Sequence, residues 1–424
     1  MNEYKRAVEN KNIGPLISTI MNRCIHCTRC IRFSEEIMGS YELGTTGRGR
    51  STEVGTYIDK LVTNELSGNL VDLCPVGALT NAPYAFTSRP FELMQTESID
   101  LMDGLGSNIQ FDARGAELLR TLPRIHEEVN EEWLSDKGRF SYDGLKKQRL
   151  TVPMVKDENG VFQEMHWLKA ISSVADKMNS FNGNEMSAII GEFADVESVV
   201  TLKDLFNRFD CDNFEIRSDA AKLDADLRSS YLMNSTIAGI EYSDFLLLVG
   251  VNPRTEAPVL NARILKAVKH NGLKVAVVGP AMDLGYDYVH LGNSAKTLAE
   301  IADGTHPVVP RMVNAELPMV MTGSRCLERQ DGKAIMSALS NISLNTGVLN
   351  EAKGWNGFNI LHKDGARVGA LDVGIGNNYN PDLKPKFVFI MGADNMRTAD
   401  IPTDAFVVYM VWFFLSKIPQ GYSR

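Results

Sequence analysis

No stretch of this 424-residue chain is long and apolar enough to cross a bilayer. Its longest unbroken apolar run, residues 405–415, falls well short of the roughly 20 residues that a spanning helix needs. Positive charge is also in short supply. Forty-four Lys and Arg stand against 53 Asp and Glu, and a net charge of −9 repels phosphate backbones, which makes nucleic acid a poor candidate partner. Glycine and proline, 34 and 16 residues, are at ordinary usage and exclude a collagen-like or low-complexity chain. The N-terminal stretch has no apolar h-region and carries Glu3 and Glu9, so it reads as neither a secretory signal nor an acid-poor transit peptide. Either the chain is made where it works, or its true start lies upstream. The seven histidines are scattered, with no His-x-x-His or His-Glu-x-x-His array. What is left is a globular composition, 44% hydrophobic and 23% charged, in a length that suggests roughly two to four domains.

Cysteine is sparse but unevenly placed. Of six, Cys24, Cys27, Cys30 and Cys74 lie in the first fifth of the chain, a distribution unlike a secreted disulfide framework. Cys211 and Cys326 are isolated and read as small buried hydrophobes. The segment Arg23-Cys24-Ile25-His26-Cys27-Thr28-Arg29-Cys30 sets three thiols at a period of three, and Cys74-Pro75 follows 44 positions after Cys30. A C-x-x-C-x-x-C loop can curl three sulfurs around one face of an iron–sulfur cube. The fourth iron then needs a remote cysteine, and Cys-Pro is the usual form of that ligand in ferredoxins. Position 34 is Ser34, so no second cluster's ligand follows Cys30, and Cys74 closes the site. Structural zinc is the alternative, but zinc prefers two separated C-x-x-C knuckles. The expected cofactor is one 4Fe–4S cluster on Cys24, Cys27, Cys30 and Cys74, with no ligand role for His26.

The surroundings are read in the same sense. Pro75 predicts the first turn of a helix through Val76, Ala78 and Leu79, its positive end toward the anionic cluster. Arg23, Arg29 and Arg32 flank the loop, and any that face inward would stabilise the reduced cluster and raise its potential. With no open ligand position, the cluster reads as an electron relay and not as a catalyst.

These segments resemble the largest iron–sulfur subunit of respiratory complex I (NADH:ubiquinone oxidoreductase), especially its mitochondrial form. The resemblance runs from Lys5 to Leu150. It is carried by residues 6–15 (RAVENKNIGP), the Cys24 loop, Gly44-Thr45-Thr46-Gly47-Arg48-Gly49, the run from Glu65-Leu66-Ser67-Gly68-Asn69 to Cys74-Pro75-Val76-Gly77-Ala78-Leu79, residues 131–140 (EEWLSDKGRF) and residues 142–149. Weaker similarity extends to about Tyr409. The resemblance implies that the four cysteines hold one cluster of the series running from flavin to quinone. It implies an electron-transfer subunit of NADH:ubiquinone reductase, without activity of its own and without flavin or NAD on this chain. Its partners would be other peripheral-arm subunits of complex I, including flavin-bearing and cluster-bearing ones. Its place would be the matrix side of the mitochondrial inner membrane or, in a bacterium, the cytoplasmic face of the inner membrane.

Two departures accompany the resemblance. The family begins with a plant-ferredoxin-like 2Fe–2S domain and a His/Cys₃-ligated 4Fe–4S cluster, and neither ligand set is present here. The match also fades after Tyr409, where residues 410–424 replace an expected continuation. The chain is therefore expected to be a fragment, a split gene product or a truncated gene, with a separate chain as one source of the missing clusters. Residues 406–409 read as a strand whose exposed edge, followed by a further apolar run, would favour aggregation.

Residues 98–149 read as a small β-rich domain similar to the N-terminal domain of molybdopterin oxidoreductases, where four cysteines hold another cluster. Aligned on Gly106-Ser107-Asn108-Ile109, the ligand positions fall on Asp100, Asp103, Ser107 and Ser135. None is a thiol, and carboxylates and hydroxyls are not expected to hold an iron–sulfur cube, so this reads as a site whose metal has been lost. Beyond Thr151, helical and strand-like segments alternate as in an α/β domain. Residues 167–181 carry Leu168, Ile171, Val174, Ala175 and Met178 on one helical face, and residues 196–206 are amphipathic. Strands are expected at 187–190, 245–250, 273–278, 318–321 and 387–391, with a helix at 258–268. Gly250-Val251-Asn252-Pro253 lacks the further glycines of a dinucleotide fingerprint and reads as a structural turn, although the resemblance would suggest a pterin dinucleotide there. No cysteine lies between Asn213 and Arg325, where a thiolate metal ligand would be sought; a serine such as Ser218 is the alternative ligand, and the domain is read as a cofactor-free scaffold without molybdopterin.

The expected architecture is thus an α+β ferredoxin-like 4Fe–4S domain over residues 1–90, a degenerate cluster-free domain over 91–150, and a molybdopterin-oxidoreductase-like α/β scaffold over 151–424. Two other readings are a molybdopterin-dependent, formate dehydrogenase-like enzyme and a structural scaffold with a zinc Cys₄ site. Bound molybdenum would separate the first, and the colour of the purified protein the second.

Overall fold

The computed structural model describes residues 7–56, 60–147, 149–157, 159–216, 221, 223, 226–363, 365–376, 383–393 and 401–410. The chain forms two compact units, one of Met1–Tyr142, Met233–Gly323 and Ser337–Leu361, the other of Asp143–Leu232, Ser324–Met336 and His362–Arg424.

In the first unit, β1 (Ile17–Thr19) leads through the cysteine loop into α1 (Arg29–Glu36). A hairpin of β2 (Gly44–Thr46) and β3 (Glu53–Gly55) follows, then α2 (Asn69–Leu73) and β4 (Leu79–Asn81). An antiparallel sheet of β5 (Met94–Ile99), β6 (Asn108–Arg114) and β7 (Glu117–Pro123) supplies the expected β-rich segment, and the short helix α3 (Asp136–Phe140) closes it. The same unit holds a parallel five-stranded sheet in the order Val289–Gly292, Lys274–Val278, Phe245–Val249, Pro318–Gly323, Phe358–Leu361. Its middle strand, Phe245–Val249, is buried at every residue, as a strand covered on both faces must be.

The cysteine-bearing segment does not have a core to itself. Ile17, Phe33, Leu70 and Leu79 belong to one apolar cluster with Leu246, Leu248, Leu260 and Val277 from the five-stranded sheet and its helix. Polar ties follow the same route: Arg254 bonds Glu65 at 2.9 Å, and the Lys269 ammonium donates to the Glu35 carbonyl at 2.6 Å.

The second unit is built on a parallel sheet in the order Phe214–Ile216, Met186–Ile190, Phe387–Met391, Phe406–Met410. Phe206, fully buried, meets Phe214, Phe387 and Phe389 with ring centroids 5.8–6.4 Å apart. The strands expected at 187–190, 387–391 and 406–409 and the helices at 167–181 and 196–206 are present within a few residues of those limits. The helix Trp167–Met178 differs from expectation in what its stripe does. Met178 is buried, but Leu168 and Ile171 are 72% and 58% exposed, because periodicity sets the helix without supplying a surface to cover its first turns. Ser218 and residues 411–424 lie outside the described residues.

Candidate iron–sulfur centre

The helix expected after Cys74-Pro75 does not form. Residues 75–78 make a turn, and Leu79 already begins β4. Two constraints decide this. Gly77 is held at φ +64°, a left-handed conformation that stops a right-handed helix, and β4 is claimed by β1 through the pairs Ile17↔Asn81, Ser18↔Thr80 and Thr19↔Leu79. The helix that precedes Cys74, α2, ends at Leu73.

That strand pair builds the site. β1 runs into a single 3₁₀ turn, Met21–Arg23, which delivers Cys24; β4 runs back from the turn that carries Cys74. The Ile20 N–H donates to the Ala78 carbonyl at 2.8 Å, continuing the pairing up to the cysteines. Residues far apart in sequence thus meet at one end of a two-stranded clamp. Val gains a strained φ at position 77 only at a cost of about 1–2 kcal/mol. Gly77→Val is therefore expected to lower the melting temperature by several degrees and to loosen iron retention; an unchanged melting curve would show that the turn does not constrain the Cys74 arm.

Between the first three cysteines the backbone is bent in the way that aims amides at anions. His26 and Thr28 have φ of +55° and +60°, conformations that cost roughly 1–3 kcal/mol each in non-glycine residues and cluster at functional sites. Successive N–H groups in such bends form concavities that hold phosphates and iron–sulfur clusters. The His26 N–H points at the Cys24 sulfur (3.5 Å), and the Ile31 amide bonds the Cys30 sulfur. Cys30 lies in the first turn of α1, so the positive helix end at the site belongs to α1.

Cys24, Cys27, Cys30 and Cys74, each half-buried, line one recess that is partly open to solvent. Met21, Val54, Ala78 and Leu79 form its apolar walls, and Arg29 stands on its rim. Burial pushes the Cys30 thiol up to about 11, partly offset by the Ile31 amide, and the thiols of Cys24, Cys27 and Cys74 add to the rise. Cys30 is therefore near each of the other three sulfurs. Among the described residues, however, no group of three or more His, Cys, Asp or Glu side chains is arranged to hold a metal ion. A tetrahedral zinc needs every sulfur within about 2.3 Å of a single point. Arg23 packs over the Phe86 ring at 5.8 Å and Arg32 is exposed, so of the three flanking arginines Arg29 is the one at the recess. His26 is exposed.

Sequence reasoning did not place the wall residue Val54 or the α1 amides. The Gly44–Gly49 run was the available signal: it is the hairpin that carries Val54 inward. Nor did it foresee the brace behind α2. There Asp136 accepts from the Gly68 N–H (2.6 Å), the Ser67 N–H (3.1 Å) and the Ser67 hydroxyl (2.5 Å). Arg139, 1% exposed, donates to Asn69 (2.9 Å) and Asp72 (2.6 Å).

Asp100, Asp103, Ser107 and Ser135, the positions aligned with a second cluster, are brought together and buried, each at most 3% exposed. Burial, with the charge of Asp100 adding, pushes Asp103 up to about 7, and burial also raises Asp100. Elsewhere, the Asn252 N–H after the Gly250 turn is taken by the Glu256 carboxylate at 3.2 Å, so an acidic side chain stands where a phosphate would be sought. Cys211 is buried, its thiol donating to the Met186 carbonyl at 3.3 Å, while Cys326 is half-buried.

The comparisons with known proteins agree with this order of parts. The family model for molybdopterin oxidoreductase matches residues 149–413, more than half of the chain, and the chain belongs to that family. Two further models match ahead of it: the ferredoxin-like domain of NADH-quinone oxidoreductase subunit 3 over residues 14–80, and the NDSU1/NuoG-like 4Fe-4S domain of NADH-ubiquinone oxidoreductase over residues 93–143. Within that company the chain is similar to the mitochondrial NADH dehydrogenase (ubiquinone) iron-sulfur protein 1 of Solanum tuberosum, 47% identical over 96% of this chain and 55% of that protein. The 75 kDa subunit of NADH-ubiquinone oxidoreductase from Reclinomonas americana is 44% identical over 96% of this chain and 61% of its own. The mitochondrial 78 kDa subunit of Neurospora crassa is 47% identical over 96% and 55%. The chain thus spans little more than half the length of these curated relatives. A solved structure, acetylene hydratase from Pelobacter acetylenicus, superposes with a TM-score of 0.38 at 12% identity over 70% of this chain and 40% of its own, too slight a likeness to carry an argument. The fold read from sequence, ferredoxin-like, then β-rich, then molybdopterin-oxidoreductase-like, is the order these matches take.

Proposed function

We propose that this chain is an electron-transfer subunit of an NADH:ubiquinone oxidoreductase and holds one 4Fe–4S cluster on Cys24, Cys27, Cys30 and Cys74. The observation that carries the reading is the single recess ringed by those four thiols, on a segment matched by a ferredoxin-like family model. When bound, such a cluster supplies one-electron transfer. The chain's own part is to hold and tune it. The thiolates fix it, the His26 and Ile31 amides offset negative charge on two of the sulfurs, and Met21, Val54 and Leu79 limit water on one side. The site lies on other subunits' electron path, with flavin-bearing and cluster-bearing peripheral-arm subunits as neighbours, on the matrix side of the mitochondrial inner membrane. No helix among the described residues is long and apolar enough to cross that membrane.

A pterin-bound enzyme is the second reading, because of the family to which residues 149–413 belong. Glu256 at the turn after Phe245–Val249 favours a scaffold role for this region instead. Two measurements test the proposal. The reconstituted chain, reduced anaerobically, should give the EPR signal of a reduced 4Fe–4S cluster and contain no molybdenum. The pure chain should oxidise no NADH, since it has no Rossmann-type fingerprint. Stoichiometric molybdenum, or NADH oxidation without an added subunit, would overturn it.

A further inference from the structure

A second site lies away from the cysteines, around the loop between β5 and β6 and the start of α3. The Asp100 N–H donates to the Ser107 carbonyl at 2.8 Å, which closes the loop and sets these two residues side by side. The Asp100 Oδ2 lies directly against Gly138, and the Gly138 N–H is held by the Ser135 hydroxyl at 3.1 Å. Asp103 is near enough to Asp100 for their charges to repel. Each carboxylate is held locally: Asp100 Oδ1 accepts from the Met102 N–H and Asp103 Oδ1 from the Leu105 N–H, both at 3.0 Å, and the Gly106 amide also acts on Asp103. The other oxygens are idle. Asp100 Oδ2, Asp103 Oδ2 and Ser107 Oγ are buried without any hydrogen-bond partner, on residues only 1–3% exposed. Lys137, at the rim, gives its ammonium to the Met102 carbonyl at 2.6 Å and bonds neither carboxylate.

Buried polar atoms are nearly always satisfied, and orphans in a well-packed region point to an unseen water or ion. A water could bridge the idle oxygens, and a proton held between the two acids would ease their repulsion. A divalent cation meets both needs at once and takes up the Ser107 hydroxyl as well. Oxygen-only donors on short side chains are what hard cations such as Ca²⁺ and Mg²⁺ select, and soft metals refuse. With two carboxylates the charge is matched one to one, and hydroxyls, carbonyls and water complete the shell. We propose that Asp100, Asp103 and Ser107, with Ser135 at the edge, form a binding site for one hard divalent cation.

The test uses the full chain, stripped with a chelator and then equilibrated with Ca²⁺ or with Mg²⁺, and reads metal content and thermal unfolding. The expected result is about one cation per chain and a melting temperature that rises with cation concentration. Asp103→Asn should weaken binding by about tenfold or more, and Asp100→Asn and Ser107→Ala should weaken it too. In chelator the Asp103→Asn chain should melt no lower than the parent, since the amide removes an unpaired buried charge. Cys74→Ala should leave the cation bound, which separates this site from the thiol recess. Absence of uptake at millimolar Ca²⁺ and Mg²⁺, a water-filled pocket with cation-independent melting, or binding unaffected by Asp100→Asn and Ser107→Ala would overturn the proposal; the last pair stands in should Asp103→Asn fail to fold.

Discussion

Cys74→Ala is expected to take the iron content of the anaerobically reconstituted chain from about four per chain to near zero, with loss of the broad brownish absorbance. The argument rests on how the recess is made. Three of its thiols come from one short loop whose bends at His26 and Thr28 are already strained, and the fourth arrives only through the pairing of β1 with β4. Without Cys74 one iron would have no protein ligand, and its chain neighbours in the recess lining, Pro75 and Val76, offer none. Two outcomes would sink the assignment: iron retained in full by the variant, or a parent chain that takes up stoichiometric zinc and no iron.

Arg139→Ala is the second large effect. The guanidinium is 1% exposed and bonds Asn69 and Asp72; because the Asp72 carboxylate is itself 35% exposed, what is lost is the buried hydrogen bonding, about 1–3 kcal/mol. Its reach is set by geometry, because α2 sits between this brace and Cys74. Gly68 shows how tight the brace is: a Cβ there would stand 2.5 Å from the Arg139 Cδ, so Gly68→Ala should destabilise in the same direction. Arg139→Lys should rescue little, since an ammonium cannot reproduce the planar fork. The measurement is the urea midpoint of each variant together with its iron content. A shift of less than about 0.5 kcal/mol for Arg139→Ala would show the network to be dispensable.

The cysteine spacing made the candidate ligands legible because thiolate chemistry is written in local sequence. The α/β strands were legible for a similar reason: Phe245–Val249 and Phe387–Met391 are unbroken apolar runs of strand length. The turn after Cys74 was not. Pro75 carries a local helix preference, and the pairing of Leu79 with Thr19, sixty positions away, overrides it. Arg139 beside Asn69 was hidden in the same way, since a buried guanidinium looks like a surface charge until its partners are known. The positions Asp100, Asp103, Ser107 and Ser135 could be found by motif, but which of their oxygens lack partners is a property of packing. Trp167–Met178 shows the converse limit, as a correct periodicity left Leu168 and Ile171 exposed.

The apolar cluster that joins Phe33, Leu70 and Leu79 to Leu246, Leu248 and Val277 bears on how this chain can change over time. A free-standing ferredoxin can be traded between proteins by recombination at its ends. Here a crossover near residue 90 would part the cysteine loop from the floor it rests on, and a donor segment without a carboxylate at position 65 would leave Arg254 no partner there. A substitution in the strand 245–249 is consequently felt through shared packing by the segment that carries the cysteine loop, more than two hundred residues earlier in the sequence.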